Sequence, residues 1–356
     1  MGVKHVKDFS IIEVGFMKAV RFLKPDSLEL AEVPMPELAE GEALIKVLYS
    51  GICGSDVHVF QGHHPTACYP VTPGHEFVGE LVKAHDSSRS DLQPGMLVAA
   101  QPYYACGICE ACLTGHENVC RSLKIHGIHH DGSFAEYVKV LARKVYTLPQ
   151  DLDPQLAALI EPLSVAVHDV RKSGLKVGEN CLIIGGGPIG LLIAMVARLS
   201  GAGRILISEV SPARVAFAER LGFETINPVN SDLKEKTAEV TNKKGFDVVF
   251  EVSGSKAGTA AMTDAAKIAG TIVIVGMAAD SYPVNTTQVF IKELKLRGVR
   301  IHSQVNFAAA IDILKSGRIN EELRSLVSAV YPLSEAAAAF ETAIKSQDVF
   351  KILVSI

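Results

Sequence analysis

Over residues 17–150 the apolar positions come in short runs cut by glycine and proline. They are "ALIKVLY" (43–49), "FVGELVKA" (77–84), "MLVAA" (96–100) and "FAEYVKV" (134–140). Runs this short, with turn residues between them, predict strands of a compact, mostly β unit. Near residue 154 the period changes, and "PQLAALIEPLSVAVHDVRKSG" spaces its apolar residues as a helix does. From Asn180 onward strand and helix alternate. "CLIIG" is a continuous apolar run of the kind a strand buried on both faces requires. "PIGLLIAMVARLSG" follows as an almost wholly apolar helix closed by Gly201. "RILISE" is the next strand, and "SPARVAFAERLG" offers Ser211 as N-cap, Pro212 at the first helical position and Gly222 past the end. "DVVFEV" (247–252) and "TIVIVG" (271–276) extend the set, which predicts a doubly wound α/β unit with a parallel sheet. After about residue 300 the pattern reads helix ("NFAAAIDILKSG"), strand ("VYPL"), helix ("EAAAAFETAIK") and a terminal strand ("FKILVSI").

A chain of 356 residues is long enough for two such units, each with its own core. The formal net charge of −4 gives no support for a nucleic-acid partner or a basic membrane-binding patch. No apolar run reaches the roughly 18 residues of a membrane span. The opening "MGVKHVKDFSIIEVGF" lacks a secretory signal's apolar core and cleavage site, and reads as an N-terminal extension over residues 1–16. Met17 is then a second candidate start, and the expected compartment is the cytoplasm. In that compartment thiols stay reduced, which bears on the most unusual stretch of the chain.

"CGICEACLTGHENVC" holds four of the seven cysteines, Cys106, Cys109, Cys112 and Cys120. Reduced thiols clustered at this density point to a metal, and four of them close a tetrahedron around Zn2+ with no open position for chemistry. Between "CLII" and the apolar helix, "GGGPIG" places Gly185, Gly187 and Gly190 in G-x-G-x-x-G spacing, with Pro188 and Ile189 inside the motif. In a strand–turn–helix context those glycines let backbone approach a pyrophosphate at the helix N-terminus. Glu209 ends the next strand, nineteen residues beyond Gly190. A carboxylate there binds ribose hydroxyls and repels a 2′-phosphate, favouring NAD, while nearby Arg214 keeps NADP open. A second constellation, "SGICGSDVH" and "TPGHEFVGE", supplies Cys53, His58, His75 and Glu76. An open zinc site needs three protein ligands, and the third after Cys53 and His75 could be Glu76 or Glu161.

Taken in order, "GICGSDVH", "GHE", the four-cysteine run, "DGSFAEY", "EPLSVAVH" and "GGGPIG" make the chain resemble the zinc-dependent medium-chain dehydrogenases, within them the polyol (sorbitol dehydrogenase-like) branch. The resemblance implies a GroES-like β-barrel catalytic domain over 17–161 and 302–356, with a structural-zinc lobe at about 101–125. A Rossmann NAD-binding domain would span 162–301. It implies catalytic zinc on Cys53 and His75 with Glu76 or Glu161, and structural zinc on the four clustered cysteines, two Zn2+ per subunit. Asp56 is implied to orient the histidine ligand, and Ser55 and His58 to relay a proton to solvent. Val252, Val275 and Met277 end Rossmann strands and are expected on the nicotinamide side. The implied activity is hydride transfer to NAD from a secondary alcohol of a small polyol or sugar acid, by a homodimer or homotetramer. "RGVRIHSQ" departs from the Arg-Tyr pair of animal-type sorbitol dehydrogenases and resembles bacterial sugar-acid and polyol branches more closely. Alternatives are an L-threonine 3-dehydrogenase and a ligand-binding protein without turnover. Cys181 reads as an apolar filler and Cys68 as a loop thiol. His63 and His64 are candidate cleft residues, and "HGIHHDG" (126–132) is expected to border the substrate.

Overall fold

The computed structural model describes residues 15–278, 280–346 and 348–356. Most of the expected 1–16 extension therefore lies outside the described residues, and Phe16 already opens a strand, Phe16–Lys24.

Six parallel strands form one sheet in the spatial order Glu224–Ile226, Ile205–Ser208, Cys181–Ile184, Phe246–Glu251, Ala266–Ile274, Lys295–Gly298. In chain order this is 3-2-1-4-5-6, the doubly wound arrangement, and the order reverses between Cys181–Ile184 and Phe246–Glu251. Ligands bind at such a reversal because the two flanking connections leave on opposite faces and open a crevice. The helix Pro188–Leu199 starts at that crevice, and its buried face from Gly190 to Ala197 explains its almost continuous apolar sequence. The helix Pro212–Arg220 starts as expected, with the Ser211 side chain accepting from the Arg214 N–H.

The second sheet has seven strands. Its path runs Val327–Pro332, Lys351–Ser355, Glu42–Gly51, Glu76–His85, Leu97–Ala100, Val145–Thr147, with Tyr137–Leu141 also paired to Glu42–Gly51. The terminal strand thus closes against the N-terminal unit, Leu353 opposite Gly51. Two features went unread in the sequence. The hairpin of Phe16–Lys24 with Ser27–Pro34 carries no run of apolar residues on its second strand, which is half exposed. The stretch at 154–174 is two helices, Pro154–Ala157 and Ile160–Ser173, because the helical period continues across a break at Ala158 and Leu159. Among the described residues no helix is long and apolar enough to cross a membrane.

The helix Ile160–Ser173 packs between the two sheets and buries Asp169 completely, with no partner for either carboxylate oxygen among the described residues. Burial alone drives its pKa well above the ordinary aspartate range. A carboxyl whose folded pKa is raised is a stabilising partner of the fold only while protonated, so stability falls as pH rises above the unfolded value. Asp169→Asn is therefore expected to raise stability at neutral pH by about 1–3 kcal/mol. The gain should fade as pH drops into the ordinary aspartate range. Thermal unfolding of both proteins across pH reads it, and an equal effect at every pH would contradict it.

Candidate metal centres and cofactor cleft

The four clustered cysteines lie on a loop with two short helical turns, Glu110–Leu113 and Glu117–Val119, and all are free thiols. Their sulfurs sit 3.5 Å (Cys109 to Cys112) and 3.9 Å apart (Cys106 to Cys112, Cys109 to Cys120). Sulfurs about 2.3 Å from a common centre form a tetrahedron with edges of about 3.8 Å, so the donor set fits Zn2+. Backbone N–H groups point at the sulfurs, from Cys106 and Ser122 to Cys120 and from Cys109 to Cys106. The N–H bonds from Arg121 and Cys112 hold the Cys109 thiol down to about 6, which prepares it as a thiolate. The lobe is tied down by buried Lys144, which pairs with Glu117 and lies over the Tyr103 ring.

Cys53, His75 and Glu76 place one ligand atom each within 4.8 Å of one another. Two loops and a strand bring them together. Cys53 precedes the helix Gly54–Phe60, and Glu76 opens the strand Glu76–His85. Asp56, fully buried, joins the two loops: its carboxylate accepts the Cys53 N–H (2.9 Å) and the Gly74 N–H (3.1 Å) and lies 3.4 Å from His75 Nδ1. That leaves Nε2 as the free face of the ring, 3.2 Å from Ser55 Oγ. Burial opposes a charged His75, but Asp56 outweighs it and holds the imidazole pKa well above its ordinary value. His58 lies one turn beyond Ser55 on the same helix, half-buried, with its ring centroid 6.5 Å from that of His63. A thiol, an imidazole and a carboxylate in this grouping suit Zn2+ with a position to spare.

Lys351 was not foreseen. Its ammonium donates to both Glu76 oxygens, at 2.9 and 2.6 Å, and to the Ile52 carbonyl at 3.1 Å, all buried. Burial opposes the charge, but Glu76 and then Cys53 raise the lysine pKa above its ordinary value. The one sequence signal was a lysine inside the apolar run "FKILVSI". Gly51 makes room for the pair, since a Cβ there would lie 2.4 Å from Glu76 Oε2. Glu161 falls outside the three-residue group and pairs instead with buried His302, Nε2 to Oε1 at 3.3 Å. Burial would raise the Glu161 pKa, but the bond to His302 overturns that and holds it below the ordinary value.

The glycine loop shares one cleft of 690 Å³ with Cys53 and Glu76; its lining includes Gly185, Gly187, Pro188, Ile189, Gly190, Glu209, Arg214, Val252 and Lys351, while His75 is not part of it. Gly190 has no alternative, because a Cβ there would lie 1.9 Å from the Gly185 carbonyl oxygen. Glu209 accepts the Gly186 and Ser211 N–H groups (2.7 and 2.8 Å), which holds its carboxylate beside the loop. Val275 and Met277 do not line the cleft: Val275 packs on the core and Met277 is exposed. Within "HGIHHDG", His126 and His130 line a second cavity of 510 Å³ that shares no residue with the cofactor cleft. His129 instead bonds Thr66 Oγ1 at 3.0 Å beside His64. Cys68 is exposed and joins no ligand group, and Cys181 is buried in the sheet, its thiol pushed up to about 12 by burial.

Two family models match the chain, an alcohol dehydrogenase GroES-like domain over residues 39–150 and a zinc-binding dehydrogenase domain over 188–316. The chain is 38% identical to the 2-dehydro-3-deoxy-L-galactonate 5-dehydrogenase of Pseudoalteromonas atlantica, over 91% of this chain and 94% of that one. It is 36% identical to an L-threonine 3-dehydrogenase of Chelativorans, over 80% and 84% of the two chains. Among solved structures it is similar to a zinc-binding dehydrogenase of Sinorhizobium meliloti bound to NADP, with a TM-score of 0.89 and 35% identity over 96% of this chain and 100% of that one. Paired with the doubly wound sheet and the thiol, imidazole and carboxylate at its crevice, these matches mean that the chain belongs to the zinc-dependent medium-chain dehydrogenases, among the enzymes of their polyol dehydrogenase-like branch.

Proposed function

We propose that this enzyme oxidises a secondary alcohol of a small polyol or sugar acid to the ketone, with NAD as hydride acceptor. The observation that carries this reading is the single cleft joining Cys53 and Glu76 to the glycine loop. Cys53, His75 and Glu76 would hold the catalytic zinc, and Cys106, Cys109, Cys112 and Cys120 the structural one. The catalytic ion, when bound, lowers the proton affinity of a substrate hydroxyl. Ser55 Oγ, beside His75 Nε2, is placed to take that proton, and His58 one turn further along passes it to solvent. Asp56 keeps His75 presenting Nε2. The helix Pro188–Leu199 offers its N-terminal N–H groups to the pyrophosphate, and Glu209 reaches the adenosine ribose. Arg214 lies close to Gly187, and the choice of NAD over NADP rests on Glu209. The sugar-acid class follows the relative from Pseudoalteromonas atlantica. We take the domains to divide at 161 and 302, the subunits to form a homo-oligomer, and the enzyme to work in the cytoplasm.

The first test is reduced-cofactor formation at 340 nm with zinc-replete protein, over polyols, aldonates, threonine and simple alcohols, with NAD and NADP. Turnover of a polyhydroxylated compound with NAD is the expected result. Turnover of threonine alone would transfer the reading to the amino-acid dehydrogenases. Cys53→Ser is expected to lower kcat/KM by roughly 1,000-fold or more while NAD affinity stays, since several kcal/mol of charge stabilisation disappear at about 1.4 kcal/mol per tenfold. Surviving activity would exclude zinc-assisted chemistry at Cys53. Cys109→Ser should lose one zinc equivalent and lower Tm with NAD affinity intact, measured by metal analysis and thermal unfolding. Glu209→Ala should narrow the preference for NAD over NADP by roughly tenfold or more, as loss of a hydrogen-bonding partner to the cofactor predicts. An unchanged ratio would move the discrimination elsewhere.

A further inference from the structure

Two buried carboxylates face the metal centre, and each has its own partner. Lys351 holds Glu76, and His302 holds Glu161. The His302 ring is fully buried, and its hydrogen bonds define its tautomer. The Tyr103 hydroxyl donates to the His302 carbonyl at 3.3 Å, so its oxygen is left to accept. The Gln101 amide then gives its two N–H groups to Tyr103 Oη (3.2 Å) and His302 Nδ1 (3.3 Å). Nδ1 being the acceptor, the proton is on Nε2, and it faces Glu161. Among the described residues Nε2 makes no hydrogen bond of full geometry, and its charged neighbour is Glu161 Oε1 at 3.3 Å.

The backbone that delivers His302 is strained. Ile301 has φ of 53°, a left-handed conformation that β-branched residues avoid. It is kept there by packing with Tyr103, Cys120 and Leu123 of the four-cysteine lobe, while Asn118 of the same lobe donates to the Arg300 carbonyl at 2.9 Å. Strain retained under such clamping marks a residue whose placement matters. The clamp turns His302 inward onto Glu161, and Glu161 is the one candidate ligand outside the group of Cys53, His75 and Glu76.

We propose that His302 is a positioning residue, clamped by the four-cysteine lobe, that holds the Glu161 carboxylate back from the metal and keeps a coordination position open for substrate. This rests on the reading of Cys53, His75 and Glu76 as the catalytic zinc ligands. The freed carboxylate of a His302 variant would compete with substrate for that position.

The test uses zinc-loaded, full-length His302→Ala and His302→Phe, the latter keeping the ring contact with Tyr103 and Phe307. Both should lose about 10- to 100-fold in kcat/KM, chiefly through KM. Zinc release to a chelator should be no faster than in the parent. Adding Glu161→Gln to either variant should recover most of the loss, because the competing carboxylate is gone. Faster zinc release would make Glu161 a ligand that His302 supports, and would overturn the proposal. Failure of Glu161→Gln to recover activity, or parent-like kinetics in both single variants, would overturn it too. A parent that holds one zinc equivalent, lost on Cys109→Ser, would instead remove the catalytic-zinc reading beneath it.

Discussion

The ion pair of Lys351 with Glu76 is the constraint on which the site depends. An ammonium and a carboxylate are both taken out of water here, a cost recovered only because the geometry is close and every donor is used. The pair joins the last strand to the strand that Glu76 opens, so closure of the seven-stranded sheet also fixes the Glu76 carboxylate. Gly51 is part of the same solution, since any side chain there would enter the space of the Glu76 carboxylate. Leaving either charge alone would cost about 3–5 kcal/mol, a large part of a domain's net stability. The lysine also answers the two buried carboxylates nearby, Glu76 first and Glu161 after it.

A second tier follows the same logic with hydrogen bonds in place of charge. Asp56 spans the two loops that bear Cys53 and His75, and its three contacts leave the imidazole one free face. Gln101, Tyr103 and His302 do the equivalent for Glu161. The four-cysteine lobe contributes to this tier directly, through Ile301 and Asn118. The four-cysteine cluster thus has a mechanical connection, through Ile301 and His302, to the Glu161 carboxylate.

Much of this was legible beforehand because it depends on local order. The strands at 43–49, 77–84, 181–184 and 205–208 declare themselves by short, largely apolar runs, and the start of the helix Pro212–Arg220 by Ser211 and Pro212. Cys106 to Cys120 are near neighbours along the chain, so their spacing alone defines a tetrahedral donor set. Gly185 to Gly190 belong to one turn, where close packing excludes any side chain at Gly190. The hairpin at 16–34 and the break at Ala158 and Leu159 escaped notice because neither changes the periodicity that reveals an element.

By itself, then, the sequence determined most of the order of elements, the glycine loop and the clustered cysteines, and offered Cys53, His75, Glu76 and Glu161 as candidate donors. The elements, the loop and the cysteine cluster each follow from residues close together along the chain. Tertiary structure alone decided which carboxylate joins the metal group and what restrains the other. Lys351 reaches Glu76 across 275 positions, and His302 reaches Glu161 across the whole doubly wound unit. Periodicity carries no information about such pairs, because burying a charge or a polar ring is tolerable only where a distant partner arrives to compensate it. That arrival is a property of the closed sheets and of the clamped turn at Ile301, not of any stretch of the chain read alone.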